Sequence, residues 1–218
     1  MKKSFIISML LSLVSLGVAL WFIMTTEGQV PTHWGAGGEI TSYGSPWYMI
    51  IFPITAFFVT LLMYFLPMID PKGDNIRKSG PILQVTMFLV VGLMLGIQAF
   101  TIIATKGGDI MNMTTFVSVA IGVMFIVLGY FMPNVKPNYM VGIRTPWTLF
   151  SESVWIKTHK ESAKWMILGG VLYLIGIFFP GPVGIIIPTI VIIFIFIGIT
   201  WYSYLVYVDE KSKKKTKK

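Results

Sequence analysis

The residues from Asn138 to Lys164 read NYMVGIRTPWTLFSESVWIKTHKESAK and form the longest polar interruption between two apolar runs of the chain. Thr145 precedes Pro146, so its backbone is biased toward an extended conformation. Thr148 or Ser151 is placed to cap a helix after this turn. The stretch therefore predicts a fixed turn followed by a helix. The apolar runs on either side of it indicate the environment of this helix.

The predicted helix after the turn has two unlike faces. One face carries Lys157, Lys160, Glu161 and Lys164, and the other carries Val154, Trp155, Thr158, Ser162 and Trp165. This spacing is typical of an amphipathic helix. A short charged helix beside a membrane usually lies in the interface, so we expect that position here.

The composition is that of a membrane protein. Hydrophobic residues make up 55% of the 218 positions and charged residues only 12%, and the mean hydropathy is +0.78. Soluble domains average about 25% charged residues, so this chain has too little charge to cover a soluble surface of its size. The chain has no cysteine, which excludes disulfides and thiolate metal sites.

Six apolar segments are read as membrane-spanning helices. They are Ser4–Met24, Trp47–Met68, Pro81–Ala104, Met113–Met132, Trp165–Phe179 and Val183–Tyr207. The first is read as a retained span, because it is longer than the apolar core of a signal peptide. The sequence therefore predicts an all-α, polytopic membrane helix bundle with six transmembrane helices and a cytoplasmic amphipathic helix between the fourth and the fifth.

All 218 residues are expected to form a single integral membrane domain. Residues 1–132 form a four-span part, residues 133–164 the cytoplasmic motif segment, residues 165–207 a two-span part and residues 208–218 a basic tail. Six of the last eight residues are lysine, which is typical of a tail at an anionic membrane surface rather than of nucleic-acid binding. We expect the six lysines of Lys211–Lys218 to be disordered and to lie near anionic lipid.

The distribution of basic residues predicts the orientation. With Lys2 and Lys3 in the cytoplasm, six spans place sixteen of the seventeen Lys and Arg residues on the cytoplasmic side and only Lys106 outside. Cytoplasmic loops are enriched in Lys and Arg, so both termini and the polar stretch are expected in the cytoplasm. The chain is therefore expected to be a multi-pass protein of the bacterial cell membrane.

Arg144 and His159 are the candidate functional residues of the polar stretch. The Arg144 guanidinium suits a lipid phosphate, a backbone carbonyl or a carboxylate such as Glu152, and a simple positive anchor beside the membrane is the alternative. His159 follows Trp155 by four residues, so the two share a helical face. It either titrates near neutral pH or serves a structural role.

The loop between the first two spans is glycine-rich and is predicted to be extracellular. Its candidate residues are Pro31, His33, Trp34 and Glu39. His33 with Glu27 and Glu39 contains metal-ligating side chains, but the spacing fits no recognised site. We therefore predict no metal and no cofactor, and we read the loop as a set of turns with aromatic anchors at the membrane interface.

The sequence contains no readable pair of nucleophile and base. In the six-span layout the two histidines fall on opposite sides of the membrane, which excludes a shared histidine-based active site. The predicted spans contain no Asp, Glu, Lys or Arg, which disfavours ion-coupled transport. We therefore expect a protein that is not an enzyme, and the alternative is a membrane enzyme or transporter that acts on a lipid or a peptide.

The polar stretch resembles the signature of the SdpI family of bacterial membrane proteins. The pattern N-x-x-x-G-x-R-T-P-W-T-L, followed by S-x-x-x-W and T-H, is carried by Asn138, Gly142, Arg144, Thr145, Pro146, Trp147, Thr148, Leu149, Ser151, Trp155, Thr158 and His159. Pro31–Glu39 is more loosely similar to the start of a bacterial domain of unknown function that often accompanies this signature.

The resemblance implies an immunity protein that protects against a secreted antimicrobial toxin peptide. It also implies signal transduction, through recruitment of a small cytoplasmic winged-helix repressor to the membrane. The partners expected on this basis are membrane lipids, a toxin peptide and the repressor, with no direct contact between this chain and nucleic acid. The functional motif would then be the central segment that includes Arg144, Trp147 and Trp155.

Overall fold

The computed structural model describes residues 1–108, 111–179 and 181–216, with side chains as far as residue 213. These residues form eight α-helices and one two-stranded sheet. The long helices are α1 (Lys2–Thr25), α2 (Ile51–Ile69), α4 (Ile82–Thr105), α5 (Met113–Phe131), α7 (Glu152–Gly176) and α8 (Val183–Thr216). The short elements are β1 (Val30–Trp34), β2 (Ile40–Gly44), α3 (Gly73–Arg77) and α6 (Pro146–Phe150), with 3-10 turns at Pro46–Ile50 and Met132–Asn134.

Five helical segments of the described chain are long and apolar enough to cross a membrane. They are Lys2–Thr25, Pro46–Ile69, Ile82–Thr105, Met113–Asn134 and Val183–Lys213. They coincide with the first, second, third, fourth and sixth predicted spans, because uninterrupted apolar runs of about 20 residues leave little choice but a spanning helix. The chain is therefore multi-pass, with five spans supported by length and composition.

The predicted amphipathic helix and the predicted fifth span are one continuous helix, α7. The prediction of a separate amphipathic helix is therefore wrong. Lys157, Lys160 and Lys164 occupy its first half, and the apolar half runs for twelve residues from Trp165 to Gly176. At about 1.5 Å per residue this half is roughly 18 Å long, shorter than a hydrocarbon core of about 30 Å. A sixth span through α7 stays a prediction.

Helix α8 is longer than the predicted sixth span, because it continues without a break from the apolar run into the basic tail. The expectation of a disordered tail is wrong as far as Thr216, and Lys217 and Lys218 lie outside the described residues. Glu and Lys favour helix, and the Lys213 ammonium pairs with Asp209 one turn earlier at 2.6 Å. These preferences carry the helix past the end of the apolar run.

The segment predicted as a turn-rich loop is a β-hairpin, so the expectation of an all-α chain is corrected. Strand β1 pairs antiparallel with β2, with Val30 opposite Gly44 and Trp34 opposite Ile40. The connecting turn is held by side chains that follow α4. The Asn112 amide donates to the Gly37 carbonyl at 2.6 Å, and the Thr114 hydroxyl donates to the Ala36 carbonyl at 3.0 Å.

The chain divides into two compact units. The first comprises Met1–Phe65, Leu83–Ala120 and Gly176–Ile186. Its buried cluster contains Ala19, Phe22, Val30 and Met49. Ser8, Ser12 and Ser15 of α1 are all buried and form a face of small residues.

Ser15 and Gln98 form the polar link between α1 and α4 within the first unit. The Ser15 hydroxyl donates to Gln98 Oε1 at 2.6 Å, and Gln98 Nε2 donates back to the Ser15 carbonyl at 2.9 Å. Both side chains are 1–2% exposed. A buried amide is satisfied in this way without a charge, as the apolar surroundings require.

The second unit comprises Leu66–Ile82, Ile121–Ile175 and Ile187–Lys218. Its buried cluster contains Ile82, Met132, Val135, Trp155, Ala163 and Met166. Helices α5 and α7 approach closely in this unit. A Cβ added at Gly122 would lie 2.9 Å from the Gly170 carbonyl oxygen, and one added at Gly129 would lie 3.0 Å from the Ala163 carbonyl oxygen. The glycines seven residues apart on α5 therefore line one contact face.

Candidate functional site

Asn138 organises the turn that opens the motif. Its side chain is 2% exposed. Oδ1 accepts the N–H groups of Met140 and Val141, and Nδ2 donates to the carbonyls of Lys136 and Val141. An amide is suited to this position because it combines an acceptor with two donors. An aspartate of the same size would lose both donated bonds.

The chain next turns tightly over the ring of His159. Gly142 has a φ of +105°, and a Cβ at this position would lie 2.3 Å from His159 Nε2. The following backbone N–H, that of Ile143, donates to the same nitrogen at 3.0 Å. Glycine is required here because the position combines a positive φ with a close approach to a ring.

The imidazole of His159 is fully buried and neutral. Its Nδ1 lies 2.9 Å from the Trp155 carbonyl, which only accepts, so Nδ1 carries the proton and Nε2 accepts from Ile143. Burial lowers the pKa of His159 from its usual 6.5 to about 4, against the opposing effect of the Trp155 carbonyl. Both ring nitrogens are therefore engaged in hydrogen bonds within the fold.

Thr145 and Thr148 form a reciprocal capping box at the start of α6. The Thr145 hydroxyl accepts the Thr148 N–H at 3.2 Å, and the Thr148 hydroxyl accepts the Thr145 N–H at 2.9 Å. Pro146 fills the first helical position, where no N–H is needed. Thr145 Oγ1 also lies 3.0 Å from Ser203 Oγ on α8, so the capped turn is joined to the last helix.

Of the two residues predicted to cap the helix, only Ser151 lies at its start. Thr148 lies inside the short helix α6 rather than capping the helix that follows. Ser151 immediately precedes α7, and its hydroxyl lies 3.4 Å from the Val154 N–H. Ser151 is therefore the cap of α7.

Trp155 is fully buried in the second unit. Its side chain is 0% exposed, and its indole N–H donates to the Val135 carbonyl at 2.7 Å. The indole stacks on His159, with 4.1 Å between ring centroids and 18° between planes. On the face that carries these residues, Val154, Trp155, Thr158 and Ser162 are buried, whereas Trp165 is 44% exposed.

Three side chains from the segment between α2 and α4 support the motif, and no sequence pattern indicated them. Asp70, which is 5% exposed, accepts the Tyr139 N–H at 2.8 Å. Asn75 donates to the Pro137 carbonyl at 2.7 Å, and Ser79 accepts the Lys136 N–H at 2.9 Å. These partners are 57 to 69 residues apart in the chain, so no local pattern reveals them.

Glu210 is a fourth functional residue that the sequence patterns did not indicate. Its carboxylate accepts from the hydroxyls of Ser151 and Ser153 and lies 2.9 Å from the Lys157 ammonium. The carboxylate thus links the far end of α8 to the first turns of α7. An acidic residue next to a lysine-rich segment offered no hint of this role.

Arg144 is exposed, unlike most of the motif around it. Its Nη1 donates to the Tyr139 carbonyl at 2.7 Å. Of the three partners considered for this guanidinium, the structure contains the backbone carbonyl, and Glu152 makes no ion pair with it in the described residues. The Lys72 ammonium lies 5.0 Å from the centre of the Tyr139 ring, so two cations flank this tyrosine.

The remaining aromatic and apolar residues of the motif lie at the surface. Trp147 is half-buried and stacks at 5.2 Å on Tyr204 of α8. Leu149 is 41% exposed and Phe150 is 79% exposed. We call Tyr139, Met140, Arg144, Trp147, Leu149 and Phe150 the motif surface. The buried residues of the motif hold the turn, and the motif surface is its exposed part.

The hairpin candidates of the first unit do not form a metal site. Pro31 is buried, His33 is exposed with Nδ1 3.2 Å from the Thr32 hydroxyl, and Glu39 is exposed. Trp34 packs edge-on against Phe100, with 6.1 Å between ring centroids. The described part of the chain contains no group of three His, Cys, Asp or Glu side chains that could hold a metal ion.

Comparison with known proteins gives two family matches. The model of the SdpI/YfhL protein family matches residues 134–204, which include the whole motif. The model of a domain of unknown function, DUF1648, matches residues 10–65, which include the hairpin. The resemblance to the SdpI family is confirmed.

One curated relative extends the SdpI likeness beyond the motif. The chain is 24% identical to "Immunity protein SdpI" of Bacillus subtilis (strain 168) over 207 residues, which is 95% of this chain and 97% of the relative. No solved structure matches. With five apolar helices of spanning length, this likeness to SdpI identifies a multi-pass bacterial membrane protein.

Proposed function

We propose that this chain is a membrane immunity protein that protects its cell against a secreted antimicrobial toxin peptide. The observation that carries the proposal is the alignment with Immunity protein SdpI, which runs nearly end to end in both chains. A likeness confined to apolar spans would reflect composition alone. This one includes a polar motif in which glycine, arginine, threonine and tryptophan have separate physical tasks.

The geometry of the motif supports a role for its surface. Asn138, Thr145, Thr148 and His159 are buried and hydrogen-bonded within the fold, so they are occupied in holding the turn. Arg144 uses Nη1 on the Tyr139 carbonyl and projects the rest of its guanidinium outward. A planar fork with several donors suits carboxylate or phosphate recognition. We therefore assign partner contact to the motif surface.

A second role, in signalling, follows from the expected orientation. If both termini are cytoplasmic, the motif surface faces the cytoplasm, where a small winged-helix repressor could be recruited to the membrane. The basic and aromatic character of this surface suits an acidic, apolar-edged protein patch. Recruitment at this surface and toxin protection are separate activities and require separate measurements.

The competing proposal is a membrane enzyme or transporter that acts on a lipid or a peptide. A catalytic motif would place an available base beside a cavity. His159 does not fit that description, because one ring nitrogen is bonded to Ile143 and the other to Trp155. The relative is named an immunity protein, which also favours the first proposal.

The deciding experiment is survival of a toxin-sensitive strain that expresses the chain. Arg144→Lys, Arg144→Ala and Trp147→Ala are compared with the wild type, with membrane abundance measured in parallel. Arg77→Ala is the matched control, because Arg77 is the other arginine of the chain and forms an exposed pair with Asp74. We expect normal abundance with lost protection for all three motif variants and full protection for the control.

Other outcomes oppose the proposal in different ways. Full protection by Arg144→Ala would refute the role of the motif surface. Collapse of abundance in all three motif variants would make the motif a structural lock. A wild-type chain that is abundant in the membrane yet gives no protection against the toxin would remove the immunity proposal itself.

A further inference from the structure

A cavity of about 440 Å³ with both polar and apolar lining residues lies in the second unit beside the motif. Its lining includes Lys78, Gly80, Asn134, Lys136, Glu152 and Ile156. Cavities that hold small ligands begin at about 300 Å³, so this one has room for a compact polar group. It is separate from the exposed guanidinium of Arg144, which does not line it.

The charges of this cavity are unbalanced. Lys78 and Lys136 both line it, and no ion pair of either is present in residues 1–108, 111–179 and 181–216. Both lysines and Glu152 are exposed, so the lining carries two positive charges and one negative charge, and like charges near each other favour an anion beside them. Glu152 is the one carboxylate in the lining, and it pairs with neither lysine. The cavity therefore suits a ligand that brings its own negative charge.

The position of the cavity in the chain indicates which anion is available. Gly80 lies two residues before α4, and Pro133 lies two residues after α5. Both helices are candidate membrane spans, so their ends are where the chain leaves the hydrocarbon layer and phospholipid headgroups are concentrated. Ile156, which is 54% exposed, adds an apolar wall. An anionic group with an apolar attachment fits this mixture.

We propose that the cavity binds the headgroup of a phospholipid, with the phosphate between Lys78 and Lys136. Glu152 gives the site a second preference, because a carboxylate accepts hydrogen bonds from a primary ammonium group. The ligand is therefore a phosphoethanolamine headgroup, whose two charges match the two kinds of side chain. This inference is independent of toxin immunity, since it concerns lipid binding by the purified chain.

The test is native mass spectrometry of the full chain in detergent, titrated with dioleoyl phosphatidylethanolamine, phosphatidylglycerol or phosphatidylcholine. The cavity variant is Lys78→Gln/Lys136→Gln. Its matched control is Lys160→Gln/Lys211→Gln, which removes the same charge from exposed lysines outside the cavity. We expect about tenfold weaker phosphatidylethanolamine binding in the cavity variant, as the loss of charge-assisted hydrogen bonds implies, and unchanged binding in the control.

A separate variant tests the preference for the ethanolamine headgroup. Glu152→Gln should bring phosphatidylethanolamine and phosphatidylglycerol to equal affinity, because the carboxylate that selects the ammonium is gone. Thermal unfolding of every variant verifies that the fold is kept, as expected for side chains at the surface.

Three results would overturn the inference. Equal weakening in the cavity variant and the control would reduce lipid binding to net charge. Competition by inorganic phosphate as strong as that by lipid would make the cavity a free-anion site. Tighter binding of phosphatidylglycerol than of phosphatidylethanolamine by the wild-type chain would remove the role of Glu152.

Discussion

The backbone N–H of Ile143 donates to Nε2 of His159 at 3.0 Å, across sixteen positions of the sequence. This bond requires an unprotonated Nε2. The motif turn is therefore attached to α7 by an imidazole that must stay neutral. Protonation of His159 at low pH would break this hydrogen bond.

The first prediction concerns pH. The pKa of His159 is about 4 in the folded chain and about 6.5 when solvated, so the unfolded state takes up the proton first. Stability is fully present above pH 6.5 and falls between pH 6.5 and 4, by up to about 1.4 kcal/mol per unit. Thermal unfolding in detergent at pH 7.5, 6 and 5 should show this decline.

The control for the pH prediction is His159→Gln, which keeps an acceptor near Ile143 but does not titrate. This variant should be less stable than the wild type at pH 7.5 and should lose less stability on acidification. Carboxylates that titrate in the same range affect both proteins equally. Parallel pH profiles for the two proteins would show that His159 is not the group responsible.

The second prediction concerns Gly142. Gly142→Ala should destabilise the chain by about 1–3 kcal/mol through its positive φ alone, with a further loss from the contact with His159. Gly28→Ala is the matched control, because Gly28 has a φ of +90° and open space where a Cβ would lie. The difference in unfolding temperature between the two variants measures the contact, and equal destabilisation would contradict it.

The third prediction compares two serines of one helix face. Ser15 is bonded to Gln98, whereas the Ser8 hydroxyl, within the described residues, is buried without a partner. Ser15→Ala should cost about 1–2 kcal/mol, because it leaves a buried amide short of a partner. Ser8→Ala should be neutral or slightly stabilising. A larger decrease in unfolding temperature for Ser8→Ala than for Ser15→Ala would contradict this prediction.

The fourth prediction is the number of spans. Single cysteines at Lys3, Ala36 and Ser212 of this cysteine-free chain are labelled in intact cells with a membrane-impermeant maleimide. Six spans expose Ala36 outside and leave Lys3 and Ser212 inside. If α7 does not cross the membrane, the remaining five spans put Ser212 outside, so labelling at Ser212 in intact cells would reject the six-span layout.

The sequence predicted what is governed by neighbouring residues. The apolar runs gave five spanning helices to within a few residues, and the step from Thr145 to Pro146 gave a fixed turn with a capped helix. The merger of the amphipathic stretch with the fifth span escaped prediction, because helical periodicity alone does not mark where one helix ends.

What the sequence could not reveal depends on contacts between distant residues. Asp70 meets Tyr139 from 69 positions away, and Glu210 meets Ser151 from 59 positions away. Neither carboxylate belongs to a recognisable sequence pattern. Each has a role only because the fold places a backbone N–H or a hydroxyl group beside it. The hairpin was missed for a local reason, because proline lies inside its first short strand and glycines fill the turn between the strands.

The hydrogen bonds from Asp70, Asn75 and Ser79 have a consequence for how the protein can be divided. The family-matched segment, residues 134–204, depends on a loop that lies outside it and more than fifty residues earlier. A chimaera that transplants only this segment into a relative would inherit the motif without its supports. Exchange boundaries should instead follow the compact unit and carry residues 66–82 together with the C-terminal half, which makes the motif a discontinuous module.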